Sequence, residues 1–65
     1  MDFLYVFVVR GAEWEDIVIY RTEEEAIEQS KKYPRGRLEI FRKSEEGGYV
    51  PTYNYYSNGE LVMTH

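Results

Sequence analysis

Lys31-Lys32-Tyr33-Pro34-Arg35-Gly36-Arg37 gathers four of the chain's eight basic residues. A glycine-containing turn can bring arginines together, and a guanidinium holds a phosphate oxygen pair bidentately, so Lys32, Arg35 and Arg37 are anion-binding candidates. The simpler reading is a solvated turn, because helices commonly end in lysines that complement their dipole. Glu13, Glu15 and Asp16 surround Trp14. Carboxylate oxygens suit Ca²⁺ or Mg²⁺, yet the segment lacks the spacing and glycine of an EF-hand loop. An exposed acidic hairpin is expected there, with Trp14 as a packing or partner anchor. Acid–base or nucleophilic catalysis has little to work with. The one histidine is His65, the last residue, and there is no cysteine, P-loop or G-x-S-x-G elbow. Glu23, Glu24, Glu25 and Glu28 fall on the polar side of a helix. No catalytic residue, metal site or cofactor is expected, and the chain does not read as an enzyme.

These residues need elements to position them. FLYVFVVR (3–10) is a run of β-branched and aromatic residues, the signature of a strand buried on both faces. GAEWE (11–15) reads as a hairpin loop and DIVIYR (16–21) as a second strand, antiparallel to the first. Thr22 with Glu25 makes a capping box, acids fill the first turn and lysines the last, and Pro34 forbids continuation. A helix over 23–32 follows, with a narrow stripe of Ala26, Ile27 and Ser30. RLEIFRK (37–43) alternates as a third strand. Tyr49–Tyr56 makes a fourth, with Pro51 at an edge or bulge. Asn58-Gly59 predicts a type I′ turn into a fifth strand, Glu60–Thr64. The fold class is α+β: a two-layer ββαβββ domain over residues 1–65, with a mostly antiparallel sheet and one helix on one face.

Sixty-five residues lie close to the lower limit for a chain that folds without staples, and without cysteine no disulfide can help. At 43% hydrophobic and 31% charged, the composition is that of a globular domain. The longest apolar run, Phe3–Val9, falls far short of the roughly 20 residues that span a bilayer, and Asp2 stands where a signal peptide would be positive. Neither a membrane segment nor a targeting signal is expected. The net charge of −4 disfavours generic nucleic-acid binding. It is uneven: −6 over residues 1–30, +5 over 31–43 and −3 over 44–65.

Alternation predicts Leu4, Val6 and Val8 facing the helix, with Ile17, Ile19, Leu38 and Ile40. Phe3, Tyr5, Phe7 and Val9 then face away, with Val18, Tyr20, Phe41, Tyr53 and Tyr55. One helix cannot cover both sides of a sheet, so an aromatic face is left for a partner. A second copy is favoured, most simply as a dimer; a foreign protein is the next reading. A single-stranded nucleic acid stacking on Tyr5, Tyr20 and Phe41 beside Arg42 and Lys43 is a third, weakened by Asp16 and Glu39 on the same face. Closure of a second small core by the terminal strands would need no partner.

From Trp14 onward the chain resembles short uncharacterised proteins of large DNA viruses that infect amoebae and other protists. The segments that carry this are EWEDIVIY (13–20), EEEAI (23–27), KYP (32–34), LEIF (38–41) and GYVPTYNYYSNGE (48–60). The resemblance implies an intracellular product of host cytoplasm or virion, virion-associated or accessory in role, with a host or viral protein as a possible partner. It brings no activity and no site residues.

Overall fold

Thr22 decides where the helix begins. Its hydroxyl oxygen accepts the Glu25 amide at 3.2 Å, satisfying one of the donors that every helix start leaves over. The Glu25 carboxylate accepts the Thr22 hydroxyl proton at 2.9 Å, where a capping box would have it accept the Thr22 amide. The helix α1 spans Glu23–Lys32 as its sequence predicts, and its last turn closes when the Tyr33 amide donates to the Gln29 carbonyl ahead of Pro34.

A computed structural model describes residues 2–64. Around α1 it has β1 (Phe3–Val8), β2 (Val18–Tyr20), β3 (Arg37–Lys43), β4 (Tyr49–Ser57) and β5 (Glu60–Val62). The ββαβββ order and α+β class are as expected. Between β1 and β2 the chain makes a 3₁₀ turn, Trp14–Asp16. The second strand is therefore shorter than expected. Asp16 accepts the Glu13 amide at 3.1 Å, and such local bonds compete with a sheet ladder. The fifth strand also ends early. Thr64 leaves the ladder to donate its amide to Asn54 Oδ1 and its hydroxyl to the Tyr53 carbonyl.

All strand pairs are antiparallel, in the order β2-β1-β3-β4-β5. Asn58 and Gly59 both have positive φ (49° and 82°), the type I′ geometry the Asn-Gly pair predicts between β4 and β5. Glu39 pairs with Tyr55 but Phe41 with Pro51, so β4 carries two extra residues across from Ile40. The bulge is pinned by the Thr52 hydroxyl donating to the Ile40 carbonyl at 2.7 Å. Inserting two residues preserves parity, so Pro51 and Tyr55 remain on one face. Pro51 lies beyond the stretch of β4 that β5 pairs, so its missing N–H costs no bond on that side.

The core lies between α1 and the sheet; β3 presents Leu38 and Ile40 to it as expected, whereas β1 and β2 reverse the expected faces. Ala26 and Leu38 are fully buried, Tyr5 and Tyr56 nearly so, and Phe7, Tyr20, Ile27 and Ile40 pack around them. Tyr5 stands opposite Ile40 and Phe7 opposite Leu38, and paired residues share a face. Phe3, Tyr5 and Phe7 therefore line the helix side, while Leu4, Val6 and Val8 turn away. The physical reason is volume. Ala26 and Ser30, the buried residues of the helix, are small, and the space they leave takes rings where aliphatic side chains would leave voids. The Tyr5 and Tyr56 rings meet at 6.2 Å, and those of Phe7 and Tyr33 at 5.7 Å. Tyr20 joins this side, whereas Ile17 and Ile19, expected in the core, are exposed.

Candidate interaction surface

With the helix on one side, the other side of the sheet is open among the described residues. One transverse row crosses all five strands: Ile19, Val6, Glu39, Tyr55 and Val62 are successive register partners. A second row joins Leu4, Phe41 and Pro51, and Val8 stands opposite Arg37. The face is thus apolar apart from Arg37, Glu39, Lys43 and Glu60. Arg37 Nε donates to Glu39 Oε2 at 2.6 Å, and its guanidinium lies 4.8 Å over the Tyr55 ring. That carboxylate is only 17% exposed, so its charge is tolerable through Arg37.

The expected interface residues are divided by the helix. Phe41 and Tyr55 are on the open side. Tyr5, Phe7 and Tyr20 pack beneath or beside the helix; Phe3 and Val18 sit at the margin of that same side, partly exposed. Val9 follows β1 and lies beside Gly36, and Tyr53 is exposed on the β4 bulge. The stacking platform for a nucleic acid is broken up by the same reversal. Tyr5 is buried, and Arg42 pairs with Phe3 on the helix side, away from Phe41. Asp16, expected beside Phe41, is in the 3₁₀ turn.

Trp14 is 87% exposed in that turn. Glu13, Glu15 and Asp16 lie around it, and among the described residues no three His, Cys, Asp or Glu side chains come together as metal ligands. His65 lies outside the described residues. No helix among them is long and apolar enough to cross a membrane. Of the basic candidates, Lys32 and Arg35 border one hollow, Arg35 and Arg37 another.

Leu4, Val6, Ile19 and Val62 on the open face were not expected there. The signal that could have found them is the smallness of Ala26, Ser30 and Gly36, which calls for aromatics opposite. Glu23 is a second surprise. It borders a crevice with Tyr5, Asn54 and Tyr56. Burial pushes both phenols above their ordinary value, the Glu23 charge adds to this, and for Tyr56 so does a hydrogen bond to the same carboxylate.

No family model, curated protein or solved structure matches this chain.

Proposed function

We propose that this protein is a non-enzymatic interaction module that self-associates through the open sheet face, two copies meeting about a two-fold axis. The observation that carries the reading is the five-strand row Ile19-Val6-Glu39-Tyr55-Val62, apolar except for an internally neutralised carboxylate. A chain whose fully buried hydrophobic residues, among those described, are only Ala26 and Leu38 gains much from covering a second face.

Size and charge favour a second copy over a foreign partner. The 28 strand residues, at about 3.3 Å rise and about 4.8 Å spacing, tile roughly 440 Å² of sheet plane per copy. Two such faces approach the roughly 1,000 Å² at which specific interfaces begin. By alternation the face carries Arg37, Lys43, Glu39 and Glu60, and is neutral, although the whole chain is −4. A neutral face offers no complement to a charged partner, and it lets two acidic bodies approach where repulsion is least. The sheet edges offer less, because β2 and β5 are three residues each. The viral resemblance rests on segments of β2, α1, β3 and β4 that build the framework, so it lends self-association no support of its own.

The test is solution mass by light scattering with the melting temperature measured across concentration. The wild type should be dimeric at micromolar concentration and melt higher as concentration rises. Ile19→Lys with Val8→Lys, both at exposed positions, should give a folded monomer whose melting is independent of concentration. A monomeric wild type would overturn the reading, and so would a double variant that still dimerises.

A further inference from the structure

Where β1 leaves the sheet and β3 enters it, Val8, Arg10, Arg35 and Arg37 line a hollow of about 320 Å³. Three guanidinium groups share it and no carboxylate borders it. Arg37 is held through Nε by Glu39, which leaves its outer nitrogens to donate elsewhere. Arg10 and Arg35 form no ion pair among the described residues. On the other flank of Arg35 lies a second, mainly apolar hollow of about 340 Å³, lined by Val9, Lys32, Tyr33, Pro34 and Gly36. The Tyr33 ring is fixed there by its contact with Phe7, yet remains 48% exposed.

Arg10 and Arg35 have no counter-charge among the described residues and Arg37 has only Glu39, so the group carries net positive charge. An oxyanion that accepts from several guanidinium groups relieves the repulsion. A fixed, half-exposed ring beside them is a stacking surface for a flat heterocycle. We propose that this end of the molecule binds a nucleoside polyphosphate, with its phosphates held by Arg10 and Arg35 and reaching Arg37, which ends the β1–β3 ladder at the margin of the proposed dimer face, and with its base against Tyr33 and Pro34. Lys32 also lines the base hollow and adds a fourth positive charge to this end of the molecule. A short polyanion suits the site better than a nucleic-acid strand, because a long one must also pass over a body of net charge −4.

The experiment is an amide NMR titration of the isotope-labelled chain with ATP and, separately, with tripolyphosphate, at physiological salt. Both should shift the amides of Arg10, Arg35, Gly36 and Arg37, and ATP alone should shift Val9 and Tyr33 while binding more tightly. Arg10→Gln and Arg35→Gln, both at exposed turn positions, should each weaken ATP about tenfold and leave the melting temperature unchanged. Shifts no larger than those from sodium chloride of equal ionic strength would overturn the site. So would ATP affinity indifferent to both variants. Tripolyphosphate binding as tightly as ATP would remove the base subsite, and a single-stranded oligonucleotide saturating the same amides more tightly than ATP would reassign the ligand to nucleic acid.

Discussion

A Cβ added to Gly36 would stand 2.7 Å from Cε1 of Phe7 and 3.1 Å from Cγ2 of Val9. Glycine is needed here for close approach: the turn between α1 and β3 lies directly on the Phe7 ring. Gly36→Ala should cost about 1–3 kcal/mol, as overpacking does in a tight core. Chemical denaturation checks it, and an unchanged midpoint would mean that the ring is free to move. The phenols of Tyr5 and Tyr56 act at the same scale. Their raised pKa values mean that the folded state favours the neutral form. That stability is fully present below the ordinary phenol value of 10.0 and is lost as pH rises past it toward the folded values. In an alkaline titration followed by phenolate absorbance, Tyr5 and Tyr56 should titrate above the ordinary phenol value. Glu23→Gln should bring Tyr56 part of the way down toward the ordinary phenol value, with the burial contribution remaining.

Ser30 joins two elements that no backbone ladder connects. It is fully buried, donates to the Ile27 carbonyl at 2.7 Å within α1, and accepts the Gly59 amide from the β4–β5 turn at 2.8 Å. The side chain of Lys31 lies over the same turn, where a Cβ on Gly59 would come within 2.7 Å of its Cε. The helix thus holds the short terminal hairpin in place. Ser30→Ala removes the acceptor and leaves the Gly59 N–H unpaired, a loss of about 1–3 kcal/mol. Hydrogen exchange should show the Gly59 amide deprotected beyond what the global loss explains. Equal protection in variant and wild type would mean that the hairpin stands without the helix.

For the whole molecule, a radius of gyration of 11.3 Å is close to the roughly 11 Å expected of a folded chain this long, and the volume enclosed is small. One ten-residue helix covers one side of five strands. The remaining side is largely apolar and carries no net charge, and the dimer proposed above would turn it into a second core. That is also why the charged substitutions Ile19→Lys and Val8→Lys are expected to remove concentration dependence before they unfold the chain.

Much of this was legible in the sequence, because it depends on near neighbours. The limits of α1 follow from Thr22, the acidic first turn and Pro34, and the start and faces of β3 from the alternation Arg37-Leu38-Glu39-Ile40. The β4–β5 turn follows from Asn58-Gly59, and the surplus sheet face from the presence of one helix. Which face is surplus did not follow. β1 is apolar at nearly every position, so its alternation carries no sign, and only pairing with β3 sets Tyr5 beside Ile40 and Phe7 beside Leu38. Likewise nothing local brings Arg10 to Arg35 and Arg37, or Glu23 to Tyr5 and Tyr56. Such neighbours belong to different strands and turns, and only the packing of α1 through its small residues onto the sheet decides that they meet.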